Sequence, residues 1–95
     1  MAAYVIMIRE KMRDLDAFGQ YGTLARAARL EGMAALAFYG ASETLEGAPA
    51  DGVVILRFDT MDLAKSWYGS PEYMAARAVR HQAADYRVIF VEGVD

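Results

Sequence analysis

Five side chains in this sequence have the chemical types that bind or transform a small organic molecule. They are His81, Arg57, Tyr39, Trp67 and Tyr73. His81 is the only histidine, and an imidazole is the side chain that normally titrates near neutral pH. Arginine binds carboxylates and enolates, and aromatic rings line most small-molecule pockets. These residues predict a site in which His81 moves a proton and the other four contact the substrate.

Each residue also has a structural interpretation, and the sequence leaves both interpretations open. His81 lies near the C-terminal end of a predicted helix, where the helix dipole favours an exposed imidazole. Arg57 lies near the end of an apolar strand, where it would reach solvent or pair with a carboxylate such as Asp59. Trp67 and Tyr73 flank a predicted helix break, where aromatic rings commonly fill the core. Tyr39, near the end of the second predicted strand, would in the structural interpretation lie at the rim of a dimer.

Two further arginines, Arg77 and Arg80, share a helical stripe with Tyr73. We interpret them as a solvated face whose charges pair with Glu72 or Asp85. An anion site is the alternative interpretation of the same two arginines.

The composition excludes several classes of site. The chain has no cysteine, which rules out disulfides, thiolate metal sites and cysteine nucleophiles and fits a cytoplasmic location. One histidine cannot form a histidine-rich metal site, and no G-x-G-x-x-G or P-loop motif is present. The net charge of −3, with no basic run, argues against nucleic acid. The apolar run at residues 4–8 is too short to span a membrane.

The pattern of apolar residues predicts the elements that must position these side chains. Short apolar, β-branched runs bounded by charged or turn residues predict four strands, and apolar spacings of three and four predict helices. The predicted strands are residues 3–9, 33–39, 53–58 and 86–92, and the first helix is 15–30. Thr60 caps a second helix that ends near Gly69. Ser70, Pro71 and Glu72 then start a third, which extends to about Ala84.

This order predicts a single α+β domain over residues 1–95. The arrangement β-α-β-β-α-β is the ferredoxin-like one, with a four-stranded antiparallel sheet whose first and third strands are central. Helices cover one face of such a sheet. The strands here are apolar on both faces, because Ile6 and Met7 point in opposite directions, as do Ile55 and Leu56. We therefore expect a homodimer in which the sheets of two copies pack together.

The run A-K-S-W-Y-G-S-P-E-Y at residues 64–73 resembles the signature of the domain of unknown function 1330 family. Residues 45–47, 53–54 and 91–93, with Arg80, also match, so the resemblance extends over nearly the whole chain. Residues 38–41, F-Y-G-A, carry one glycine where the family pattern has two. The resemblance implies the dimeric α+β barrel superfamily, which includes antibiotic-biosynthesis monooxygenases, cofactor-free oxygenases and isomerases. The family itself has no assigned activity.

Two functions follow as hypotheses. In the first, each subunit has a pocket between helices and sheet that binds a small, flat, mostly apolar molecule with a carbonyl or carboxylate. Catalysis there would be cofactor-free and oxygenase- or isomerase-like. In the second, the protein is a non-enzymatic metabolite-binding or structural dimer. A cavity containing His81, Arg57 and a tyrosine favours the first hypothesis, and a filled core beneath Trp67 favours the second.

Overall fold

The computed structural model describes residues 1–94, so Asp95, the last residue of the predicted domain, lies outside it. Seven elements are present within that range. They are β1 (Ala3–Met12), α1 (Leu15–Ala27), β2 (Met33–Phe38), β3 (Gly52–Phe58), α2 (Met61–Tyr68), α3 (Pro71–Ala83) and β4 (Ala84–Glu92). The strands of residues 1–94 form one antiparallel four-stranded sheet in the order β2-β3-β1-β4. The predicted ferredoxin-like fold and its central first and third strands are confirmed.

α1 and α3 begin at capping residues, and the sequence predicted the one at the start of α3. The Asp14 carboxylate accepts a hydrogen bond of 3.1 Å from the backbone N–H of Ala17 at the start of α1. At the start of α3, the Ser70 hydroxyl oxygen accepts one of 3.2 Å from the backbone N–H of Tyr73. Such caps satisfy N–H groups that have no partner inside a helix. The predicted break between α2 and α3 is therefore confirmed, and it fixes the positions of Trp67 and Tyr73.

The ends of several predicted strands and helices are wrong. β1 and β4 are longer than expected, because Lys11 and Met12 pair with Asp85 and Ala84 beyond a bulge in β1. Asp85 consequently lies in β4, which begins directly after α3. α1 stops three residues earlier than expected, at Ala27.

One face of the sheet packs on the helices and forms the core. Val5, Met7, Val54, Leu56 and Phe58 point to this face and are buried. α1 packs mainly along α3, whereas its contacts with the strands are sparse. As a result, a space remains between α1 and the part of the sheet formed by β2 and β3.

The other face of the sheet is not covered by any helix in residues 1–94. Ile6, Ile8 and Ile55 are half-buried there, and the edge residues Ile89 and Val91 are exposed. This apolar face, centred on Ile55, is called the outer sheet face below. No helix among the described residues is long and apolar enough to cross a membrane.

Candidate functional site

The space between α1 and the sheet is a cavity of about 600 Å³. This volume is within the range of small-molecule sites, which is roughly 300–1,000 Å³. Apolar side chains from α1 and the strands form most of its lining, including Phe18, Ala25, Val54 and Leu56. The structure therefore contains an apolar site large enough for a small organic molecule.

Three of the five predicted site residues line this cavity. They are Tyr39, Trp67 and Tyr73. Trp67 and Tyr73 are almost fully buried, and their ring centroids are 4.0 Å apart. Each ring thus contributes both to the core and to the cavity wall, so the two interpretations of these residues describe the same packing.

Tyr73 is also part of a hydrogen-bonded chain that leads from a buried cation to the cavity. The Arg80 guanidinium donates a hydrogen bond of 3.2 Å to the Tyr73 hydroxyl oxygen. That oxygen lies 2.7 Å from the hydroxyl oxygen of Tyr21, which also lines the cavity. All three side chains are buried, with Arg80 only 2% exposed. The chain Arg80–Tyr73–Tyr21 therefore connects a charge in the core to the cavity.

A count of the protons in this hydrogen-bonded chain shows which donor remains available to a ligand. The two hydroxyl groups have two protons, and one of them makes the hydrogen bond between Tyr73 and Tyr21. Arg80 supplies its own proton to Tyr73, so one phenol proton remains uncommitted. The cation makes the Tyr73 hydroxyl a better donor, which favours donation from Tyr73 to Tyr21. With this assignment, the uncommitted proton is that of Tyr21, whose side chain lines the cavity.

Both phenols are protonated at neutral pH, as tyrosine ordinarily is, and burial extends the protonated range to higher pH. Burial is the main cause that raises the pKa of Tyr21, although the hydrogen bond with Tyr73 and the charge of Arg80 oppose it. Burial, followed by the effects of Tyr21, likewise raises the pKa of Tyr73. Both groups are therefore hydrogen-bond donors and not bases under physiological conditions.

A second tyrosine pair has one member, Tyr39, in the lining of the same cavity. The hydroxyl oxygens of Tyr39 and Tyr86 are 2.5 Å apart, and burial raises the pKa of both phenols. Tyr39 has a φ of +56°, which side-chain-bearing residues rarely adopt. It lies directly before the single glycine at which the sequence departs from the family pattern. A Cβ at Gly52 would lie 2.8 Å from Cδ1 of Tyr39, so Gly52 makes room for this ring.

The structure does not bring His81 to the cavity. His81 lies on α3 and is exposed, with its Nε2 atom 3.4 Å from an Arg80 nitrogen. Desolvation, then the charges of Arg80 and Arg77, lower its pKa. No histidine, aspartate or glutamate lines the cavity among residues 1–94.

Arg57 also lies away from the cavity, on the outer sheet face. Its register partners are Tyr4 and Ala34, and its guanidinium pairs with the Asp59 carboxylate at 3.2 Å. The helices cover the face formed by Val54, Leu56 and Phe58 instead. The expected pocket containing both Arg57 and His81 is therefore not the cavity that the structure shows.

The interpretation of Arg80 as part of a solvated face is wrong. It is buried and forms no ion pair with Glu72 or Asp85, and Asp85 pairs with Arg13 instead. Its Nε atom has no hydrogen-bond partner within residues 1–94. The sequence feature that could have indicated the contact of Arg80 with Tyr73 is their spacing of seven residues, which places both on one face of α3. Tyr21, which lines the cavity, is not among the predicted site residues, because a spacing of three and four on α1 indicates only that it belongs to the apolar face.

The described residues do not contain a cluster of candidate metal ligands. No group of three or more histidine, aspartate or glutamate side chains is placed to hold a metal ion within residues 1–94.

Comparison with known proteins identifies the family. The profile of the domain of unknown function (DUF1330) family matches residues 2–94. The chain belongs to the DUF1330 family. This confirms the resemblance carried by residues 64–73. No curated protein matches the sequence.

Solved structures similar to this DUF1330 protein share its fold at low sequence identity. A protein of unknown function from Rhodopseudomonas palustris is 18% identical, with 99% of this chain and 83% of that chain covered and a TM-score of 0.74. A dimeric ferredoxin-like protein of unknown function from Thermobifida fusca is 20% identical, with coverages of 98% and 92% and a TM-score of 0.66. A mutant of SnoaB, a cofactor-independent oxygenase from Streptomyces nogalater, is 10% identical, with coverages of 99% and 93% and a TM-score of 0.63.

Proposed function

We propose that this protein binds a small, mostly apolar organic molecule in the cavity between α1 and the sheet. The observation that carries the proposal is an apolar cavity of about 600 Å³ with a buried, protonated phenol at its wall. Apolar walls favour an apolar body, whereas one placed donor selects an oxygen atom on it. In this proposal Tyr21 donates a hydrogen bond to a carbonyl or enol oxygen of the ligand.

The predicted site residues take revised places in this proposal. Trp67 and Tyr73 form an aromatic wall, and Tyr39 contributes a second phenol at the side of the cavity. Arg57 and His81 have no part in ligand contact, because one lies on the outer sheet face and the other on the exposed side of α3. The hydroxyl of Tyr21 replaces them as the proposed polar contact.

A cofactor-free enzymatic reaction is a second candidate function, favoured by the protonation state of Tyr21. A phenol that stays protonated stabilises negative charge on a substrate oxygen, so Tyr21 would stabilise the enolate of an acidic substrate that gives its proton to water, since the cavity lining among residues 1–94 provides no carboxylate or imidazole base. Oxygenase- or isomerase-like reactions pass through such intermediates. The fold of a cofactor-independent oxygenase is similar to this one, and that similarity supports the fold alone. Oxygen uptake with enolisable aromatic ketones, compared between the wild type and Tyr21→Phe, tests this candidate.

We further propose that the protein is a cytoplasmic homodimer in which two copies pack through their outer sheet faces. The support is the apolar outer face, where Ile89 and Val91 are 40% and 44% exposed. Large apolar patches on a soluble surface usually mark an interface. The dimeric description of the Thermobifida fusca protein is consistent with this arrangement. A cysteine-free sequence supports the location.

A cavity-filling variant tests the binding proposal. Ala25 lines the cavity, whereas Ala27 lies on the exposed side of the same helix. Ala25→Phe should abolish binding of N-phenyl-naphthylamine, a neutral apolar dye that fluoresces when it leaves water. Ala27→Phe is the matched control and should bind the dye like the wild type. Equal binding by all three proteins, each verified as folded by circular dichroism, would contradict the proposed site.

A further inference from the structure

We infer that the ligand of this cavity is an anion, an apolar carboxylate whose charged group is bound by Arg26 and Arg29 of α1. The inference rests on the proposed function, because it names the class of molecule for the same site. The ligand would have an aromatic or alicyclic body, a carboxylate at the two arginines and a second oxygen at Tyr21.

Arg26 and Arg29, like Arg77, Arg80 and Arg87 elsewhere in the described chain, have no carboxylate partner, and they differ from those three because they line the cavity. Arg9, Arg13 and Arg57 each pair with an aspartate. Arg26 and Arg29 form no such ion pair within residues 1–94. The side-chain hydrogen bond of Arg26 goes to the neutral Thr23 hydroxyl, at 3.2 Å. Both side chains line the cavity, so two uncompensated cations are available to a ligand.

The charge of the cavity is opposite to that of the protein. The chain has a net charge of −3 and 13 acidic residues. None of those acidic residues within residues 1–94 lines the cavity, and its charged lining residues there are Arg26 and Arg29. Arg26 and Arg29 are solvent-exposed, so water and salt screen part of their field, and the apolar walls beside them concentrate the rest. A ligand with a negative group is therefore attracted to this cavity, whereas a cationic ligand is repelled.

The α1 surface next to these arginines has room for a ligand. Gly19 and Gly22 both line the cavity. A Cβ at Gly19 would meet no atom within 4 Å, and one at Gly22 would meet only the Arg26 guanidinium, at 3.5 Å. Glycine inside a helix costs stability, about 0.5–1 kcal/mol relative to alanine. The bare helix surface lies beside Tyr21 and Arg26, so one molecule can contact the phenol and the guanidinium together.

Two dyes with the same ring system, one anionic and one neutral, allow the contributions of the charge and of the apolar body to binding to be measured separately. Anilinonaphthalene sulfonate carries a sulfonate, which here stands in for the ligand carboxylate, and N-phenyl-naphthylamine lacks it. The variant Arg26→Gln/Arg29→Gln should weaken binding of the anionic dye by roughly tenfold. It should leave the affinity for the neutral dye within about twofold, since the apolar walls are unchanged. Added salt should weaken binding of the anionic dye to the wild type much more than to the variant.

The matched control removes two positive charges elsewhere. Lys11→Gln/Lys65→Gln changes the net charge equally at exposed positions outside the cavity, and it should leave both affinities unchanged. An equal effect of the two double variants on the anionic dye would overturn the inference, as would no effect of the arginine variant. In either case, binding of the neutral dye by the wild type would leave the proposed function intact. Failure of the wild type to bind the neutral dye would overturn both.

Discussion

The hydroxyl oxygen of Tyr73 lies 2.7 Å from that of Tyr21, and Arg80 donates a hydrogen bond of 3.2 Å to it from the core. A buried arginine is usually compensated by a carboxylate. Here phenol oxygens take that place, and no ion pair of Arg80 is formed within residues 1–94. The positive charge therefore acts on the tyrosine pair and strengthens its remaining donor.

Replacement of Arg80 by methionine should cost little stability. The methionine keeps much of the apolar volume, and it removes a buried charge that has no carboxylate partner. We expect Arg80→Met to lower the free energy of unfolding by less than about 1.5 kcal/mol, and Arg80→Ala, which leaves a cavity, by about 3 kcal/mol. Urea denaturation measures both values. A methionine variant as unstable as the alanine variant would show that the guanidinium itself holds the core together.

Tyr21→Phe should reduce discrimination between ligands that differ in one oxygen. Acetonaphthone and ethylnaphthalene have similar shapes, and only the ketone accepts a hydrogen bond. Loss of one hydrogen bond of about 1 kcal/mol corresponds to roughly fivefold weaker binding of the ketone. Competition with the neutral dye measures both affinities. Tyr4→Phe, a change on the outer sheet face, is the control, and an unchanged preference in Tyr21→Phe would exclude the proposed contact.

Alkaline pH should destabilise the fold through its buried phenols. Burial raises the pKa of Tyr21, Tyr39, Tyr73 and Tyr86 above the value of about 10 that tyrosine has in an unfolded chain. As the pH rises, the phenols of the unfolded state therefore lose their protons first. The contribution of the four buried phenols to the free energy of unfolding is complete below pH 10 and falls as the pH rises further. Each phenol contributes a slope of up to about 1.4 kcal/mol per pH unit.

Urea midpoints between pH 8 and pH 11, recorded with tyrosinate absorbance, measure this effect. The absorbance of the buried phenols should appear only as the protein unfolds. Ionisation of all six tyrosines near pH 10 in a folded protein would contradict the burial of the two tyrosine pairs.

Ile55→Glu should separate the proposed dimer. Ile55 lies on a central strand, with Ile6 and Ala37 as its register partners on the outer sheet face. A carboxylate there would be desolvated on association, which carries a large energetic cost. Sedimentation velocity should show two copies for the wild type and one for the variant. Leu45→Glu, in an exposed loop, should leave the dimer intact, and a wild-type protein that sediments as a single chain would refute the interface.

The order of the elements could be predicted from the sequence, because apolar residues recur every three or four positions in helices and form short continuous runs in these strands. In addition, the pair Ser70-Pro71 indicates a helix start independently of its surroundings. The sequence was not sufficient to show which side of an element faces inward. On α3, the spacing groups Tyr73 with Arg80 and also groups Met74 with His81. Only the first stripe is buried, and the choice depends on how the helix packs against α1 and the sheet.

The same limit applies to the sheet and to the cavity. Val53, Ile55 and Arg57 share one face and Leu56 the other, but both faces are apolar, so periodicity cannot show which one the helices cover. The cavity arises from the separation of α1 from β2 and β3, a tertiary distance with no local signature. For that reason Tyr21, Arg26 and Arg29 were not recognised as lining residues.

The location of Trp67 gives the protein an optical property of its own. It is the only tryptophan of the chain, and it lies in the wall of the cavity. Its emission therefore reports from a single position beside the proposed ligand, without background from other indoles. Unlabelled metabolites can accordingly be screened by the intrinsic fluorescence of the unmodified protein.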